Sequence, residues 1–322
     1  MTYRPTEIAD DDHCTQLLMG ATADMDHDEL LSRGLLYVHR AREDLRARAA
    51  LRPAGPPLAV VRDLTLDDAI PARLYRPSID ATPLALFFHG GGFVMGDLDT
   101  HDLFCRRLAS TSHVTVLSVD YRRAPQDPGP AAVDDGVRAG VWALEHLAEL
   151  GGDESGGVAL AGDSAGGAIA VLTGVRLRAL GLNVSAMLLL YPNADMTLSM
   201  PSVHDKGHGW GLDVDDLTWF VQQWVPDPER RAAADVSPLH APLHGLPPTI
   251  LVTAEHDPLR DEGIALADAI RAAGDDVVHL DYAGLRHGFV GSAHESPAAA
   301  QATNESFEQF GQLVRRAAGH TM

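Results

Sequence analysis

Two glycine-rich stretches hold the residues best suited to chemistry, Gly162-Asp163-Ser164-Ala165-Gly166-Gly167 and, upstream, His89-Gly90-Gly91-Gly92. The first offers a serine hydroxyl on a tight turn. The second offers backbone N–H groups able to hold an oxyanion. Acyl transfer through a serine needs both parts. Glycine makes up 30 of 322 residues, so a lone G-x-S-x-G says little. Its surroundings say more. Gly157 to Ala161 is a short apolar run fit for a buried strand, and Ala168 to Leu180 has helical apolar spacing. A strand that turns straight into a helix forces Ser164 into a strained conformation. It leaves no room for side chains at Gly162 and Gly166. The helix N-terminus then favours negative charge developing at the nucleophile. Leu84 to Phe88 forms a second buried-strand pattern leading into the glycine run. A dinucleotide fingerprint there would require glycine where Met95 stands.

A serine hydroxyl needs a base, and the base needs an orienting acid. There are 16 histidines, so placement must choose. Pro247 to Ala254 reads as a strand ending at Glu255-His256-Asp257-Pro258, followed by a helix from about Asp261 to Ala273. Asp276 to Tyr282 alternates as a strand and leads to Leu285-Arg286-His287-Gly288-Phe289. Asp257 and His287 therefore follow successive strand ends, as Ser164 follows an earlier one. In an open parallel sheet those ends line one crevice. Ser, Asp, His is the chain order of the α/β-hydrolase triad. Glu255 stands two residues before Asp257 and remains an alternative acid. Asp261 suits a helix start better. His89 is suited to bracing the glycine turn.

These stretches, HGGGFVMGD at 89–97, DYRRAPQDPGPAAVDD at 120–135, GDSAGG at 162–167, HDPLRDEG at 256–263 and RHGF at 286–289, resemble the hormone-sensitive-lipase-type esterases of the α/β-hydrolase superfamily. The resemblance implies a mostly parallel central sheet flanked by helices, with a helical cap. It implies Ser164 as nucleophile, His287 as base, Asp257 as acid, and an oxyanion hole from the N–H groups of Gly91, Gly92 and Ala165. It also implies a carboxylic-ester hydrolase for short to medium acyl chains, without cofactor or metal, and suggests a homodimer. The chain departs from the family pattern at Arg123, Gln126, Asp127 and Gly129, where leucine, glutamate, histidine and phenylalanine are usual. Ala168 stands where asparagine is common. These departures bear on the pocket and not on the triad. An amide hydrolase acting on a natural-product-like amine uses the same triad and is the nearer alternative. A non-catalytic small-molecule receptor is the distant one, because the related plant receptors have lost a triad residue and this chain has all three.

The organisation expected is an N-terminal helical part at 1–52 contributing to the cap. Core follows at 53–192, then a cap insertion at 193–236 and the rest of the core at 237–322. Val60 to Tyr75 suits two strands parted near Asp67-Asp68. Arg52-Pro53-Ala54-Gly55-Pro56-Pro57 ends the N-terminal helix. Within the cap, the resemblance implies a place bordering the acyl pocket for Trp219, with Phe220 beside it; the alternative is that these aromatics form the cap's own small core. Asp205, Asp213, Asp215 and Asp216 raise the expectation that cationic or polar substrates are favoured. His204, Asp205 and His208 have a zinc-like spacing, but Pro201 and the nearby glycines argue against the helix it would need.

Composition excludes more than it identifies. Net charge is −20, from 45 acids against 25 bases, which disfavours nucleic acid and anionic membranes as partners. The single lysine, Lys206, is followed by glycine and has Val203 three residues before it. That removes a P-loop and a serine–lysine hydrolase. No run reaches the roughly 20 apolar residues of a membrane span. The polar N-terminus does not read as a secretory signal, and Cys14 and Cys105 do not make a disulfide framework. A cytoplasmic location is expected by default.

Overall fold

The computed structural model describes residues 27–153, 156–317 and 319. Eight strands form one sheet: β1 (Val60–Leu66), β2 (Ile70–Arg76), β3 (Leu84–Phe88), β4 (Thr115–Val119), β5 (Val158–Asp163), β6 (Val184–Leu190), β7 (Thr249–His256) and β8 (Val277–Arg286). Their order is β1-β2-β4-β3-β5-β6-β7-β8. The hairpin β1–β2 joins the sheet antiparallel to β4, and β4 through β8 run parallel. Two early strands were expected between Val60 and Tyr75, and Asp67 and Asp68 do make the turn, both with positive φ.

Nine helices accompany the sheet among the described residues: α1 (His27–Ala50), α2 (Asp102–Ser112), α3 (Ala131–Glu145), α4 (Leu147–Leu150), α5 (Ala165–Ala179), α6 (Pro201–Asp205), α7 (Val214–Trp224), α8 (Arg260–Ala272) and α9 (Pro297–Ala317). Successive strand residues point to opposite faces, and the core divides accordingly. Leu86 and Phe88 face Val133, Ile169 and Leu266 of α3, α5 and α8. Ala85 and Phe87 face Phe104, Leu108, Phe307 and Phe310 of α2 and α9. Because both faces of β3 to β5 are covered, these strands are buried throughout and do not alternate between buried and exposed residues. Cys105 lies buried in α2, as its setting suggested, and Cys14 falls outside the described residues.

Two boundaries differ from those expected. β8 continues past Tyr282 to Arg286, with a register shift opposite Ala254 and His256, so the strand itself delivers His287. Pro201 does not prevent a helix. It occupies the first turn of α6, where a missing N–H costs nothing. No helix among the described residues is long and apolar enough to cross a membrane.

Candidate active site

Ser164 sits between β5 and α5 with φ 54° and ψ −122°. That is an outlying conformation for a residue with a side chain. It is fixed from both directions: the Ser164 N–H donates to the Leu190 carbonyl, and the Ser164 carbonyl accepts from Gly167 and Asn193. A Cβ on Gly162 would stand 2.2 Å from the Gly166 carbonyl oxygen, and one on Gly166 would stand 1.9 Å from that of Phe88. Glycine at both positions is thus a steric requirement, as expected, although the collision at Gly166 is with β3.

The other two members arrive at the ends of β7 and β8. His287 Nε2 lies 2.9 Å from Ser164 Oγ, and His287 Nδ1 lies 2.8 Å from Asp257 Oδ2. Asp257 is fully buried, and its second oxygen accepts the Leu259 N–H at 2.8 Å. That leaves the carboxylate one orientation. Tyr191 meets the imidazole edge-on at 4.9 Å between ring centres. Glu255, the alternative acid, is engaged elsewhere, accepting from the Gly284 N–H. Asp261 lies in the first turn of α8 and accepts from the Ser202 N–H.

The glycine run passes beside Ser164. Gly91 and Gly92 have φ of 122° and 61°, which only glycine adopts freely. Their N–H groups and that of Ala165 make no hydrogen bond among the described residues. Asp163 pins this loop to the Ser164 turn by accepting from Gly90 N–H at 2.8 Å. His89 is wholly buried, and burial together with neighbouring His101 holds its pKa well below the usual value. The neutral ring donates from Nδ1 to the Gly90 carbonyl and stacks on Tyr121. The Tyr121 hydroxyl in turn donates to the His89 carbonyl. His89 is therefore a brace, as expected.

Sequence reasoning missed Asp163, although it stands inside the serine motif. It also missed the arginines of α1 and of the segment just after it. Arg42 donates to the carbonyls of Val94 and Ala124, Arg46 pairs with Asp97, and Arg52 donates to the Thr100 carbonyl. Together they hold the segment that follows the glycine run. The family departures fit the same region. Gln126 accepts from Arg42, Arg123 donates to the Gly96 carbonyl, and Asp127 lies 3.8 Å from Arg122. Gly129 lies against the Trp224 ring, 2.7 Å from where its Cβ would stand. Trp224 stacks on Phe93, so its indole occupies space that a larger residue at 129 would contest. Ala168 is simply buried in α5.

A cavity of about 260 Å³ opens over Ser164 and His287. Phe220, Leu217 and Val221 of α7 roof it, and Phe220 lies directly on Gly92. Trp219 does not line it. Consecutive helix residues point about 100° apart, and Trp219 turns instead to Tyr37 of α1, 5.8 Å between ring centres. Asp205, Asp213, Asp215 and Asp216 do not line it either, which removes the basis for expecting a cationic substrate. No group of side chains among the described residues could hold a metal ion. His204 lies in α6 and His208 beyond its end.

A family model for the alpha/beta hydrolase fold matches residues 85–291. The carboxylic ester hydrolase LipN of Mycobacterium tuberculosis is 42% identical over 278 residues, covering 82% of this chain and 73% of its own. The carboxylesterase NlhH of the same organism is 39% identical over 273 residues, covering 80% and 85%. Among solved structures, a hyperthermophilic esterase from Pyrobaculum calidifontis superposes with a TM-score of 0.82 at 35% identity, covering 86% of this chain and 93% of its own. The metagenomic carboxylesterase EstE1 gives 0.81 at 36%, covering 87% and 97%.

Proposed function

The chain belongs to the α/β-hydrolase fold family and is a carboxylic ester hydrolase of its hormone-sensitive-lipase-like branch, and we propose that Ser164, His287 and Asp257 carry its reaction. The observation that supports this most strongly is the unbroken chain of contacts, 2.9 Å from serine to histidine and 2.8 Å from histidine to aspartate. His287 takes the Ser164 proton as Oγ attacks the ester carbonyl. Asp257, held by Leu259, keeps Nδ1 protonated and stabilises the imidazolium that forms. The free N–H groups of Gly91, Gly92 and Ala165 receive the oxyanion. One such donor is typically worth about 3–4 kcal/mol in the transition state. His287 then protonates the departing alcohol, and water repeats the sequence on the acyl-enzyme.

The cover over this site comprises α1 and residues 193–236, acting as one cap. Tyr37 against Trp219, and Val38 beside Val94 and Ala124, support that reading. A cavity of about 260 Å³ roofed by Phe220 suits short to medium acyl chains. The test is hydrolysis of 4-nitrophenyl esters from acetate to dodecanoate by the wild type and Ser164→Ala. Turnover should peak at short or medium chains and fall by at least about 10⁴-fold in the variant. Activity surviving in Ser164→Ala would remove the assigned nucleophile. A maximum at dodecanoate would remove the chain-length reading.

A further inference from the structure

We propose that the active-site cavity continues into an arginine-lined chamber that binds an acidic group on the substrate, so that esters carrying a carboxylate away from the scissile bond are preferred. This rests on the esterase reading above and narrows its substrate class.

The chamber measures about 390 Å³ and is lined by Arg48, Arg52, Arg286, Ser292, His294 and Glu295, with backbone from Gly288 and Gly291. Arg52, Gly288 and Gly291 also line the main cavity, so the two spaces adjoin immediately beyond His287. Arg52 and Arg286 border it together with one carboxylate, Glu295. Glu295 is 73% exposed at its side chain and sits 3.4 Å from His294.

Acids are abundant, and several other arginines are paired with them. The chain has 45 acidic against 25 basic residues. Arg46, Arg73, Arg122, Arg138, Arg176, Arg230 and Arg260 each sit in an ion pair. The exposed side chain of Arg286, next to the catalytic histidine, has neither an ion pair nor a hydrogen bond among the described residues. The same holds for Arg107, on the wall of the main cavity. Arg52 gives one N–H to the Thr100 carbonyl and retains further donors in its fork. Burial pushes the pKa of both Arg52 and Arg107 down. Glu295 opposes that shift for Arg52, whereas Arg107 is a partly desolvated cation with no such counter-charge, which is costly, and a substrate anion relieves that cost. Guanidinium suits the task, since its planar fork matches a carboxylate in two hydrogen bonds. The net charge of −20 gives anions no general attraction to this protein, so any preference for them must arise locally.

The test compares kcat/KM within two matched pairs. One places the charge on the acyl side, 4-nitrophenyl hydrogen glutarate against 4-nitrophenyl hexanoate. The other places it on the alcohol side, 4-carboxyphenyl butyrate against 4-acetylphenyl butyrate. Leaving-group differences cancel when Arg286→Gln and Arg286→Lys are compared with the wild type. The charged-to-neutral ratio of at least one pair should fall about tenfold in Arg286→Gln and be partly kept in Arg286→Lys. In the wild type the same ratio should drop as NaCl rises from about 20 mM to about 500 mM, a readout that needs no variant to fold. Ratios unchanged by both substitutions and by salt, in both pairs, overturn the proposal. No turnover of either neutral ester by folded wild type overturns the esterase reading itself, and the proposal with it.

Discussion

The carboxyl edge of the sheet and the cover above it are held together by different means. At the edge, Ser164, Asp257 and His287 each stand one residue past β5, β7 and β8, and the backbone fixes them. Gly162 and Gly166 leave no alternative packing, and Asp257 is locked by the Leu259 N–H. The cover is fastened by long side chains reaching carbonyls and carboxylates. Arg42, Arg46 and Arg52 of α1 and its end reach Val94, Asp97 and Thr100, and Arg123 reaches Gly96. The edge is rigid because chemistry needs atoms placed within fractions of an ångström. The cover meets a looser demand, to close a space of the right shape, and many side-chain combinations satisfy it. On the proposed function, reaction type resides in the edge and selectivity in the cover.

Changes at the edge should consequently cost far more activity than changes where edge and cover meet. The largest loss is expected for Asp257→Asn. An amide cannot hold Nδ1 protonated as the carboxylate does, so kcat should fall about 10⁴-fold with little change in KM. A loss under tenfold in steady-state assays would mean that another carboxylate serves the histidine. Gly92→Ala tests the junction. The new methyl would lie 2.2 Å from Phe220 Cγ, at φ 61°, so the ring must swing or the loop must shift. Displacing an oxyanion donor costs about 10²-fold in kcat. If the clash with the cover is the cause, Gly92→Ala/Phe220→Ala should recover part of that loss. An equally impaired double variant would instead place the damage in the strained backbone.

The same division explains what could be read from the amino-acid order. Ser164, Asp257 and His287 were legible because a strand end, a turn and a required residue type coincide at each. Strand limits shifted by a few residues without moving them, since β8 runs on to Arg286 and still presents His287. The cover was less legible. Trp219 and Phe220 are neighbours in sequence, yet helix geometry sends one to Tyr37 and the other onto Gly92. The acidic residues of the cap suggested a cationic ligand, but they line neither cavity, while arginines from distant segments converge near His287. Such convergence depends on tertiary placement and leaves no local spacing to recognise.

The smallest catalytic effect is expected where a buried acid ties α8 to the base of the cap. Glu262 is fully buried, and its Oε1 accepts the N–H groups of Ala194 and Asp195 just beyond Asn193, a residue of the cavity wall. Burial raises its pKa well above the usual carboxylate value, with Asp195 and Asp257 adding to the rise. The folded protein thus holds a proton that the unfolded chain releases at lower pH. The stability this supplies is complete below the unfolded pKa and is lost as pH rises through the folded one. Glu262→Gln keeps the accepting oxygen and cannot ionise. Its kcat should stay within about twofold of wild type, whereas its thermal stability relative to wild type should improve steadily as pH is raised from about 4 toward neutrality. Parallel melting curves for the two proteins across that range would show that Glu262 folds with its charge. The cap would then be anchored by an ionised group, and the contrast between a rigid edge and an adaptable cover would lose its clearest point of attachment.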